Sequence, residues 1–315
     1  MSNSLTTATE MAPKADPVSA GPARILPRRG GGGRFRRGIV QYLGVAPFLI
    51  FALLFLIIPT LNLAISAFRD PAGNFTLNNI IELRRQNILD AYWISIRVSA
   101  ASAAMGAAIG LVIALAVIRG DLPNWIRSTV MTFSGVASNF AGVPLAFAFV
   151  ASLGRLGMVT VVLKLFGFDL YKAGFNLLSF WGLTVTYLYF QIPLMILIIA
   201  PAVDGLKKEW GEAAQTLGAS PLQFWRYVGL PVLWPNLLGT LSLLFANAFG
   251  AIATAYALTG SSLNIVPILL YTQISGDVLH NPGLGAALAL GMIVITGVAN
   301  IIYLVVRTRA ERWLK

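Results

Sequence analysis

Apolar runs long enough to cross a bilayer recur six times along this 315-residue chain, and no other feature restricts its fold as tightly. A hydrocarbon core about 30 Å thick takes about twenty apolar residues of helix to span. In lipid every backbone amide needs a partner within the protein, so such runs fold as helices. They lie at about Tyr42–Phe68, Tyr92–Ile118, Val130–Ala151, Ser179–Val203, Val232–Leu258 and Leu284–Val306. Only 11% of the residues are charged, against about 25% in soluble domains, and one soluble core could not enclose so many apolar runs. The expected class is an all-α membrane protein with six transmembrane helices.

Residues 1–39 are rich in Ser, Pro, Gly and Arg and cannot bury a core, which predicts a disordered basic tail. The apolar run after it exceeds the 7–15 residues of a signal-peptide core, so residues 40–91 read as a retained first span and its following loop. A shorter run at Gly157–Phe166 is interrupted by Lys164 and Gly167, and predicts an interfacial or re-entrant segment. Orientation follows from Lys and Arg. With the N-terminus inside, sixteen lie on the cytoplasmic side and seven outside (Arg69, Arg84, Arg85, Arg97, Arg155, Lys164 and Lys172). The excess places both termini, including residues 307–315, in the cytoplasm of a bacterial inner membrane.

The formal charge of +11 does not point to nucleic acid. Seven of the basic residues sit in the tail and most others at span ends, a pattern that fixes topology and can also touch anionic lipid. There is no cysteine, and the single His280 builds no metal site. No nucleophile–base pair or phosphate-cradling Gly loop is present, so no catalytic residue is assigned. The spans are nearly free of carboxylates: Asp277 is the only charged residue between Arg226 and Arg307. Ion-coupled carriers keep ionisable groups within the membrane, so a stand-alone carrier or channel is the weaker alternative, and energy must enter from elsewhere.

The stretch from Asp204 to Pro235 between the fourth and fifth spans predicts two short helices. Lys208–Leu217 contains good helix formers, and Gly218 stands where a left-handed residue would end the helix. Ser220 then begins Ser-Pro-Leu-Gln: an N-cap, a proline in the first turn and Gln223 as the reciprocal member of a capping box. The second helix is expected to run to about Tyr227, before Pro231. Isolated helices this short are marginal in water, so Trp210, Ala213, Ala214, Leu217, Leu222, Phe224 and Trp225 need a surface to pack on. That surface is either lipid or a partner protein.

Glu212-Ala213-Ala214, Gly218 after three residues, and Val228-Gly229-Leu230-Pro231 after nine more resemble the EAA loop of type I ABC importer permeases. Pro235 fits the same continuation. The resemblance covers about 92–306 and implies the type I permease fold, with 204–235 as its coupling loop. It further implies that Glu212, Ala213, Ala214, Leu217, Gly218 and Pro231 seat this loop on a cytoplasmic ABC ATPase dimer. ATP and Mg would be bound by those partner subunits, with no cofactor in this chain. A second permease subunit and a periplasmic substrate-binding protein complete the implied assembly.

By the same resemblance, spans three to five supply the translocation path, for which the polar candidates are Ser138, Asn139, Tyr187, Gln191, Asn247, Thr254 and Tyr256. Each could equally satisfy a helix–helix hydrogen bond. Pro144 and Pro193 lie within spans three and four, where freed carbonyls could bend a helix or face a cavity. Sugar permeases of the family commonly carry Ile-Asp-Gly-Ala after Glu-Ala-Ala, whereas Gln215-Thr216-Leu217-Gly218-Ala219 is similar to permeases for polyamines, iron, phosphonates and inorganic oxyanions. Phe190-Gln191-Ile192-Pro193 leans toward the polyamine type.

Overall fold

The computed structural model describes residues 45–120, 122–275 and 281–311. The expected tail at 1–39, Asp277, His280 and the last four residues lie outside the described residues. Six helices are long and apolar enough to cross a membrane, and no strand longer than an isolated bridge occurs among the described residues. By packing, the chain divides into residues 1–57 and 58–315. The first helix, α1 (Val45–Ser66), carries a π-helical turn at Leu53–Ile57.

Within residues 58–315 the elements are α2 (Asn78–Glu82), α3 (Gln86–Arg119), α4 (Asn124–Ala137), α5 (Val143–Leu153) and α6 (Met158–Leu165). They continue with α7 (Phe180–Asp204), α8 (Lys208–Thr216), α9 (Pro221–Phe249), α10 (Ile252–Thr259), α11 (Val266–Ser275) and α12 (Pro282–Glu311). At 34 residues α3 is about 51 Å long, so it extends beyond the hydrocarbon.

The centre of the fold is the α3–α7 pair, the most extensive helix contact in the chain. Lipid is as apolar as leucine, so helices in it associate through close backbone approach and interhelical hydrogen bonds. The buried face of α3 is accordingly small: Ser95, Ser99, Ser102, Ala103, Gly106, Gly110 and Ala114. A Cβ on Gly106 would stand 2.7 Å from Gln191 Cβ, and one on Gly110 would stand 2.6 Å from Met195 Cβ and 2.9 Å from the Ile192 carbonyl. Nothing larger than glycine fits there. α9 then packs on both α3 and α7, and α12 on α9 and on the Ile58–Ser66 end of α1. Ser95 Oγ accepts the backbone N–H of Val266 at 2.9 Å, which ties α11 to α3 inside the protein.

Several expectations are corrected. The expected third span, Val130–Ala151, is not one helix: it is broken at 138–142 into α4 and α5, and the membrane-length stretch here is Val143–Leu165, which takes in α5 and α6. Gly142 there has φ +76° and ψ −149°, a conformation reserved for glycine. Pro144, expected to bend a span from inside, occupies the first turn of α5, where its missing N–H costs nothing. The second coupling-loop helix does not stop at Tyr227 either. It runs into span five as α9, with a π-turn at Trp225–Gly229. Pro231 has no N–H for the Tyr227 carbonyl and its ring crowds that group; the wider π-turn absorbs the mismatch. Span five itself ends at Phe249 and resumes as α10 after Gly250–Ala251, so it too is broken, and the short apolar helix α11 was not anticipated.

Candidate functional site

Two regions are candidates for functional chemistry: the loop after α7, and the breaks in spans three and five. The loop is held at its root. Leu206 is buried, and its carbonyl accepts a 2.6 Å hydrogen bond from Arg119 Nη1 at the end of α3. Arg127 of α4 pairs with Asp204 at 2.7 Å. Both partners of that pair are near half exposed, so it adds about 1 kcal/mol or less, but it fixes where α8 departs. Arg119 and Arg127 are among the sixteen cations counted as cytoplasmic, but their partners lie 87 and 77 residues away, so no local signal marks these contacts.

α8 ends as its residues dictate. Gly218 has φ +77°, its N–H reaches the Gln215 carbonyl at 2.9 Å, and the Ala219 N–H reaches the Ala214 carbonyl at 2.9 Å. This is a complete Schellman motif. Next, Ser220 Oγ accepts from Gln223 N at 3.3 Å while Gln223 Oε1 accepts from Ser220 N at 2.7 Å. Both halves of the capping box are made. With its ends thus satisfied, α8 presents Trp210, Ala213 and Leu217 at helical spacing on an exposed face, Leu217 being 87% exposed and Leu222 beyond the turn 78%. Glu212 is also exposed and makes no ion pair among the described residues, whereas Ala214 is half-buried. Pro231 sits in α9 next to the π-turn, away from this face.

Part-way across the bilayer the two broken spans clip together. The Gly142 N–H, freed where α4 stops, donates to Thr254 Oγ1 of α10 at 2.7 Å. The Ala251 carbonyl, freed where α9 stops, accepts from the Tyr187 hydroxyl of α7 at 2.8 Å. Irregular backbone is tolerated at membrane depth only when its polar groups are satisfied by protein or face a water-filled cavity, and both loose ends here are satisfied.

The candidate path residues separate into two groups. Tyr187 and Gln191 are fully buried, and Gln191 Nε2 donates to the Leu244 carbonyl at 2.9 Å. The space beside Tyr187 is about 10 Å³, enough for a water at most. Thr254 is buried as well. These three bind helices to one another. Asn139, Asn247 and Tyr256 instead flank the breaks with exposed side chains, and Ser138 is half-buried. Asn139 Nδ2 and Ser138 Oγ both turn to the Gly135 carbonyl. Gly142 and Gly250–Ala251 were not among the sequence candidates, although a glycine two residues before a proline inside an apolar run marks such a break.

Comparison with known proteins identifies the family. Residues 106–312 match the family described as binding-protein-dependent transport system inner membrane component. Among curated relatives, the sulfate transport system permease protein CysT of Synechococcus elongatus is 26% identical over 260 residues, covering 80% of this chain and 87% of its own length. The molybdenum transport system permease protein ModB of Mycobacterium tuberculosis is 26% identical over 211 residues, covering 65% and 74%. Among solved structures, a chain of a bacterial ABC transporter that imports the acidic polysaccharide alginate superposes with TM-score 0.69 at 20% identity, covering 89% of this chain and 98% of that one. The six spans and the matched stretch from α3 to the C-terminal helix lead to one conclusion: the chain belongs to the binding-protein-dependent transport system inner membrane components, as a permease subunit of an ABC importer.

Proposed function

We propose that the cargo is a small inorganic oxyanion of the sulfate or molybdate type, and that α8 is the element through which an ATPase drives its passage. The observation that carries the coupling role is the unpartnered face of α8. Trp210, Ala213, Leu217 and Glu212 are held by a capped and Schellman-closed turn and are left exposed by the described residues. A helix of nine residues keeps such a face only if something packs on it. A groove on the ATPase with a basic group for Glu212 has the matching chemistry. ATP-driven closure of two ATPases would then move α8, and with it α7 and α9, to which it is joined.

The cargo reading rests on the relatives and on the residues beside the breaks. CysT and ModB are named for sulfate and molybdenum, whereas the polyamine leaning has no counterpart in either. The exposed groups flanking the breaks, Asn139, Asn247 and Tyr256, are neutral and carry hydrogen-bond donors, that of Asn139 being turned to the Gly135 carbonyl until a ligand competes for it. Neutral donors suit a dehydrated anion and offer a polycation no carboxylate. A neutral polar side chain facing hydrocarbon is costly, so these residues are best placed on a watery path shared with a second permease subunit.

The test is uptake into proteoliposomes holding the assembled importer, with radiolabelled sulfate, molybdate and spermidine offered in turn by their binding proteins. ATP-dependent uptake of an oxyanion, weakened several-fold in Asn139→Ala and Asn247→Ala, is expected. Uptake of spermidine alone would overturn the cargo reading and leave the coupling role intact.

A further inference from the structure

At the end of the fold opposite α8, the turn after α5, helix α6 and the loop 169–176 enclose a cavity of about 470 Å³. This lies within the roughly 300–1,000 Å³ usual for small-molecule sites. Three cations line it, Arg155, Lys164 and Lys172, and none is in an ion pair among the described residues. One carboxylate, Asp169, also lines it, but its Oδ1 is turned into the loop, where it accepts the backbone N–H groups of Tyr171 and Lys172 at 3.2 Å each. The cavity therefore carries a surplus of two positive charges.

Its frame is ordered. Tyr171 donates its hydroxyl to the Leu153 carbonyl at 3.0 Å, and the Arg155 guanidinium lies 5.7 Å over the Tyr171 ring. A second observation is independent of charge. Thr160, 5% exposed, lines the same cavity, and its hydroxyl has no hydrogen-bond partner. A buried hydroxyl without a partner costs roughly as much as a lost hydrogen bond, and a ligand oxygen would satisfy it.

We propose that this cavity is a binding site for a tetrahedral oxyanion group, clamped by Arg155, Lys164 and Lys172 with Thr160 as the neutral donor. Guanidinium and ammonium groups make their strongest hydrogen bonds to such oxygens. Two sources can present that group. One is the phosphate of an anionic phospholipid. α6 exposes Met158, Val161, Val162 and Leu165 (82%), with Phe166 (84%) following it, an apolar face that lipid chains can cover. The other is a free inorganic oxyanion arriving from the periplasm. The site does not depend on the cargo reading, because the phospholipid source stands whatever the importer carries.

The assembled importer in nanodiscs separates the sources. Native mass spectrometry measures retained phosphatidylglycerol against phosphatidylcholine, and equilibrium binding of radiolabelled sulfate is measured in phosphatidylcholine discs without binding protein. The double variant Lys164→Gln/Lys172→Gln should weaken whichever ligand is held by about tenfold or more, and Thr160→Val several-fold, while Arg155→Lys keeps most of the binding. Basal ATP hydrolysis, unchanged in all three, shows that the variants are folded. Phosphatidylglycerol retention lost in the double variant identifies the lipid source, and sulfate binding lost in it identifies the free anion. If neither ligand binds the wild-type protein better than the double variant, the proposal is overturned.

Discussion

Glycines at two kinds of position set the local limits of this structure. Gly110 has no space for a side chain, because a Cβ would meet Met195 and the Ile192 backbone of α7. Gly110→Val should therefore cost about 1–3 kcal/mol or more by overpacking the central helix pair and lower the melting temperature of the purified protein. Gly135, where an added Cβ meets nothing within 4 Å, is the control: Gly135→Ala should be neutral or slightly stabilising, because alanine is the better helix former by up to about 1 kcal/mol. Gly218 is the other kind. Nothing within 4 Å opposes a Cβ, but its φ of +77° costs an L-residue roughly 1–2 kcal/mol. Gly218→Ala should loosen the end of α8 and weaken ATPase coupling without reducing membrane insertion, with Gly218→Asn intermediate, since Asn tolerates this conformation better. Thr254→Val leaves the part-buried Gly142 N–H without its acceptor, a loss of about 1 kcal/mol, which thermal unfolding of the variant against wild type would read.

At the scale of elements, what the sequence discloses depends on whether the signal is local. The end of α8 and the capping box at Ser220 were legible because each is decided by four or five consecutive residues whose side chains have one favourable arrangement. The six spans were legible because bilayer thickness imposes a length. The breaks at 138–142 and 250–251 were not, since both lie inside runs that are apolar on average, and Gly142 before Pro144 was the one local clue. What stabilises them is distant in sequence, a hydroxyl of α10 for Gly142 and one of α7 for Ala251. The same holds for Tyr187 and Gln191: composition marks them as polar residues within a span, and only packing shows that they face other helices. The exposed face of α8 makes its own prediction. The chain contains no cysteine, so Leu217→Cys is a unique thiol. With a bifunctional reagent it should cross-link to the ATPase subunit in the assembled importer, whereas Ser134→Cys, buried within α4, should not.

For the whole molecule, the account is one of division of labour. On the proposed function, motion that an ATPase imposes on α8 reaches the broken helices beside Asn139, Asn247 and Tyr256 through α7 and α9, the two helices that flank α8. α7 is 25 residues, about 37 Å, and packs on α3 along much of that length. A displacement at α8 is therefore carried by a rigid pair rather than absorbed locally. The most direct measurement is ATP hydrolysis by the reconstituted importer, with and without loaded binding protein, for wild type and for Glu212→Lys. Loaded binding protein should stimulate hydrolysis in wild type, and the variant, inserted and assembled in equal amount, should show little or no stimulation. Stimulation in Glu212→Lys equal to wild type would contradict the account.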